Sequence, residues 1–107
     1  MPGKMLSQTK RTIDALLSCG FSRSEFSAQT KYDETEGYFK PTRVRFNTHP
    51  AQRKALELSQ KLADTGVLDV TIFISEDKNL SWATVEEGKG NLLKIDLDEN
   101  NRLRSNK

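Results

Sequence analysis

The run Leu68-Asp69-Val70-Thr71-Ile72-Phe73-Ile74 alternates apolar with other side chains at nearly every step. Successive side chains of a strand point to opposite faces, so Leu68, Val70, Ile72 and Ile74 form one apolar face and Asp69, Thr71 and Phe73 the other. A strand of this kind belongs to a sheet with one face covered and one face open, an arrangement that antiparallel sheets tolerate. The same period recurs upstream. Val44 and Phe46 alternate with Arg43, Arg45 and Asn47 over residues 42–48, and Phe26, Ala28, Thr30 and Tyr32 with Ser27, Gln29 and Lys31 over residues 25–33. These two segments read as a hairpin whose long, mobile loop carries Tyr38, Phe39 and Pro41. Downstream, residues 80–86 around Trp82 and residues 92–98 read as two further strands, joined by a hairpin loop over residues 86–91.

Two segments carry the helical period instead. In residues 6–19, Ile13, Leu16 and Leu17 share a face, Ser7 or Thr9 is placed to cap the start, and Gly20 followed by Phe21 is a helix stop. The second helix opens at Thr48-His49-Pro50, with proline where its missing N–H is harmless, and ends at Gly66. Ala51, Ala55, Leu58, Leu62 and Ala63 form its apolar stripe, widened by Leu56. The expected fold is α+β, order αββαβββ, with two helices packed on one face of an antiparallel sheet. The expected organisation is a single domain over residues 1–98 and a flexible basic tail over residues 99–107.

With 107 residues, 35% of them apolar, the chain suits one modest core. No apolar run is long enough for a membrane span, so no membrane partner is expected. The first residues lack the apolar stretch of a secretory signal. Cys19 is the sole cysteine, which excludes an intrachain disulfide and fits a cytoplasmic setting. The net charge of +2 conceals an uneven distribution. Residues 1–61 hold 11 Lys/Arg against 6 Asp/Glu, residues 62–99 hold 3 against 9, and residues 100–107 add three cations. Such polarity predicts two electrostatically different surfaces.

Catalytic signals are weak. His49 is the sole histidine and stands at a helix start, where a polar residue serves as a cap; Cys19 reads as a small buried apolar residue. Glu87-Gly88-Lys89-Gly90 lies between strands and reads as a turn, since phosphate-cradling glycine loops precede helices. Asp96-Leu97-Asp98-Glu99-Asn100 begins like a calcium loop, but Asn101 and Lys107 stand where glycine and glutamate are required. The expectation is a non-enzymatic protein with no cofactor and no metal.

Binding remains. The open face of the strands is expected to show Lys31, Arg43, Arg45 and Phe73, with Lys40 in the adjoining loop. Guanidinium and ammonium groups meet phosphates and an aromatic ring stacks an unpaired base, so nucleic acid is the expected partner. The competing expectation is a regulator or inhibitor of a partner protein, using Trp82 within an acidic rim of Asp77, Glu86 and Glu87. Exposed strand edges also allow a homodimer. The stretch Gly20-Phe21 and Phe26-Ser27-Ala28-Gln29-Thr30-Lys31 resembles small α+β accessory domains of phage and other mobile elements. It spans about a dozen residues and carries no catalytic motif. What it implies is a phage or mobile-element origin.

Overall fold

The computed structural model describes residues 6–75 and 80–97. The first helix, α1 (Ser7–Ser18), starts without a side-chain cap, since Leu6 rather than Ser7 or Thr9 precedes its first turn. It stops as expected: the Gly20 and Phe21 amides donate to Leu17 and Leu16 carbonyls, and Phe21 is buried. A short turn of 3₁₀ helix (Arg23–Glu25) leads into β1 (Phe26–Gln29). There the expected strand over residues 25–33 is cut. Tyr32–Asp33 (β2) leaves the main sheet and pairs with Tyr38–Phe39 (β3) as a separate two-stranded ribbon. The expected loop is therefore itself a hairpin, and β4 (Arg43–Phe46) returns from it to pair with β1.

The expected second helix is two helices, α2 (His49–Glu57) and α3 (Ser59–Asp64), broken at Leu58. Thr48, not His49, caps the start, its hydroxyl accepting the Ala51 amide at 3.2 Å. His49 is the first helical residue and is exposed. The break lets the two pieces follow the sheet's twist: α2 packs on β4 and β6 (Leu80–Glu87), and α3 on β5 (Leu68–Ile74) and β7 (Leu92–Asp96). Ala51 and Ala55 lie at the contact, where small side chains let α2 approach closely.

The five-stranded sheet has the order β1-β4-β6-β5-β7. It is mixed rather than antiparallel, because β7 runs parallel to β5. Residues 88–91 are consequently not a hairpin turn between neighbouring strands. They carry the chain across the start of β5, which lies between β6 and β7. Asp69 Oδ1 holds this crossing by accepting the Lys89 and Asn91 amides, each at 2.9 Å. The glycines follow from crowding. A Cβ on Gly88 would lie 2.1 Å from Asp69 Oδ2, and one on Gly90, where φ is +78°, 2.6 Å from the Ala63 carbonyl.

All three α-helices cover one face of the sheet. Phe26, Val44, Phe46, Leu68, Val70, Ile72, Ala83 and Val85 point into that layer and meet Ile13, Leu16, Ala55 and Leu62 from the helices. Cys19 is buried among them. At the rim, Glu25 Oε1 accepts the Ser22 amide at 2.8 Å and the Lys54 ammonium at 3.0 Å, tying the β1 entry to α2.

Gly90→Ala is expected to cost about 2 kcal/mol or more, from a left-handed backbone plus a backbone clash. In a thermal melt that is a fall of roughly 10 °C; an unchanged melting temperature would contradict the crossing geometry. The Ser22 amide, then Lys54, holds the Glu25 carboxyl below its ordinary value of 4.5. Its contribution to stability is thus complete above that value and disappears as pH falls through the depressed one. Urea melts of wild type and Glu25→Gln should differ most near neutrality and converge in acid.

Candidate nucleic-acid interface

The face of the sheet that no described helix covers is built in rows by the strand registers. Gln29, Arg43, Glu86 and Asp69 form the first row; Ser27, Arg45, Thr84 and Thr71 the second; Trp82 and Phe73 the third. Rows on one face of a strand are about 7 Å apart, two residues of rise. β6 stands between β4 and β5, so Phe73 is two strands from the arginines rather than beside them. It meets Trp82 directly, the ring centroids 3.4 Å apart and stacked. Trp82 remains 37% exposed.

The ribbon rises beside the first row. Lys31 and Lys40 face each other at its base, where the Lys40 amide donates to the Lys31 carbonyl at 2.8 Å. The hydroxyls of Thr30 and Thr42 are 2.6 Å apart below them, and Gln8 of α1 donates to the Lys40 carbonyl at 2.7 Å. At the far end Asp33 Oδ1 accepts the Thr35 and Glu36 amides, and the Glu36 bond together with Lys40 keeps this carboxyl below its usual range. Tyr32 packs edge-on against Phe39 at 5.0 Å, yet Tyr32, Tyr38 and Phe39 are all exposed.

Lys31, Lys40, Arg43 and Arg45, with Gln29, Pro41 and Glu86, line a depression of about 560 Å³ between ribbon and sheet. Four cations therefore face one carboxylate. The arginines differ. Arg43 grips Glu86 through Nη2 at 2.8 Å and Nε at 3.0 Å, whereas Arg45 lies opposite the neutral Thr84 and has no ion pair among the described residues. Lys40 is 3.6 Å from Asp33.

The residues expected to form an acidic rim around Trp82 are not gathered. Glu86 lies two rows away and is held by Arg43. Glu87 points to the other side of the sheet and is bonded by Arg11, with Nε at 2.8 Å. Asp77 lies outside the described residues. Trp82 instead belongs to the same face as Arg45. The strand sequences hold a signal for this placement: pairing residues 68–74 with 80–87 as a hairpin sets Phe73 opposite Trp82. The ribbon aromatics also carried one, since Tyr32 and Tyr38-Phe39 flank the turn Asp33–Gly37 symmetrically.

No described helix is long and apolar enough to cross a membrane, and among the described residues no three His, Cys, Asp or Glu are grouped to hold a metal ion. The chain matches no protein family, no curated protein and no solved structure.

Removing one ring of the aromatic pair should uncover the other. Phe73→Ala is expected to raise the acrylamide quenching of Trp82, the single tryptophan, and to shift its emission to the red. Unchanged quenching would mean that the two rings are not in contact.

Proposed function

We propose that this protein is a non-enzymatic binder of single-stranded nucleic acid, which it takes on the open sheet face. The observation that carries the reading is the Phe73–Trp82 stack on the sheet face that no described helix covers, one row beyond an arginine with no ion pair among the described residues. An aromatic platform offers a surface to any unpaired base, and the neighbouring cations offer counter-charges to the backbone. The strand runs from the ribbon lysines across Arg45 to the aromatic pair. Duplex is disfavoured because a paired base has no free face to give Trp82.

The cations contribute unequally. Arg43 must share its guanidinium with Glu86 and Lys40 its ammonium with Asp33, so Arg45 and Lys31 carry more of the phosphate contact. Mixed charge on this face lowers affinity but leaves a steep salt dependence, since each phosphate neutralised releases counterion.

Fluorescence anisotropy with labelled single-stranded DNA and RNA at low and moderate salt tests the reading. Arg45→Ala should weaken binding and reduce the slope of log affinity against log salt by about 0.7. Arg43→Ala should act less. Trp82→Ala should cost roughly 5- to 100-fold, the range for one lost base stack. Absence of binding by the wild type at low salt, or indifference to Arg45→Ala, would overturn it.

A further inference from the structure

The pairing of β4 with β6 ends at Arg45 and Thr84, although both strands continue. β4 goes on to Phe46, which pairs with β1 instead, and β6 reaches back through Ala83 and Trp82 alongside β5. Where the two strands part, the sheet opens into a slit of about 390 Å³ lined by Arg45, Phe46, Gln52, Trp82 and Ala83. It joins the open face, through Arg45 and Trp82, to α2, through Gln52.

Gln52 is the unusual member. Its Nε2 reaches the Phe46 carbonyl at 3.3 Å, a long bond, and its Oε1 is shielded from solvent with no hydrogen-bond partner among the described residues. A buried acceptor left unmade is unfavourable in a folded protein and calls for a compensating role. The terminal torsion of glutamine is soft, so a small rotation turns the oxygen toward the slit.

We infer that the slit receives the edge of one unstacked base of the bound strand, with Gln52 Oε1 accepting a hydrogen bond from a base N–H. The chemistry around it suits such a guest. Trp82 supplies a flat aromatic wall, Arg45 stands at the mouth where the attached phosphate lies, and Phe46 and Ala83 complete the lining from the strands. An anionic or purely apolar guest would leave the carboxamide oxygen unmatched, whereas every nucleobase carries at least one N–H on its pairing edge. This inference rests on the single-strand reading and adds to it a site that engages the base itself, beyond stacking and charge.

The test pairs Gln52→Leu with two oligonucleotides of equal length and charge, one bearing bases and one abasic throughout, measured by anisotropy at fixed salt. The expected result is a five- to tenfold weaker affinity of Gln52→Leu for the base-bearing strand, about one hydrogen bond, and equal affinity of both proteins for the abasic strand. Thermal melts should show the variant as stable as wild type or more so, since it loses an unmatched buried acceptor; Gln52→Met serves if leucine disturbs the fold. Equal binding of the base-bearing strand by wild type and variant overturns the slit while leaving the single-strand reading in place. An equal loss on both strands overturns it too, because the effect would then not involve the base. Failure of the wild type to bind either strand overturns both.

Discussion

The short antiparallel ladder between β4 and β6 is the constraint on which the rest of the molecule depends. It joins the first half of the chain, α1 with β1 and β4, to the second, and does so through three residue pairs: Arg43 with Glu86, Val44 with Val85, and Arg45 with Thr84. The middle pair is fully buried beneath the helices. A slip of β4 by one residue against β6 would turn Val44 to solvent and drive Arg43 and Arg45 into the helical layer, so the register is strongly determined. Once it is set, α2 returns over β4 and β6, and the outward faces of both strands are left without a described helix over them.

The same ladder decides what becomes of the chain's uneven charge. The basic half contributes β4 and the acidic half contributes β6, and adjacent strands place Arg43 beside Glu86. On the opposite side Arg11 of α1 reaches Glu87. Much of the segregation visible along the chain is thus cancelled in space rather than displayed as two faces. What escapes cancellation is local: Arg45, facing a threonine, and Lys31 at the foot of the ribbon, while its neighbour Lys40 is paired with Asp33. Glu86 and Asp69, like charges in one row, coexist because each is turned to a different partner, Arg43 for one and the loop amides for the other.

Much of this architecture was legible in residue order. The two-residue period of residues 42–48 and 68–74 assigned inward and outward faces correctly, because each strand has one buried side, and Gly20 marked the end of α1. Pairing partners were less legible. Periodicity says which way Phe73 points but not which strand lies beside it, and the placement of β6 between β4 and β5 is a long-range choice made by the core. The parallel β7 was missed because Glu87-Gly88-Lys89-Gly90 looks like an ordinary turn; only the contact with Asp69 shows it crossing another strand. The break at Leu58 was missed for a similar reason, since the apolar stripe runs through it unbroken while the sheet beneath twists. Of the site, Lys31, Arg43, Arg45 and Phe73 are readable from alternation and Lys40 from its place in the adjoining loop. Trp82 was assigned to a different surface, and Gln52, an unremarkable polar residue in a helix, carries no signal in sequence.

The crossing over β5 makes β7 an edge strand of the sheet, as β1 is at the other side. β7 is bound to the sheet through β5 alone, so it can detach without breaking any other strand pairing. Were it to peel away, β5 would itself become an edge, offering seven residues of alternating, strongly apolar backbone. Such an edge is a template for strand addition from another chain. By pinning the segment that leads into β7, the tether at Asp69 helps keep β5, the most apolar strand of the sheet, enclosed on both sides.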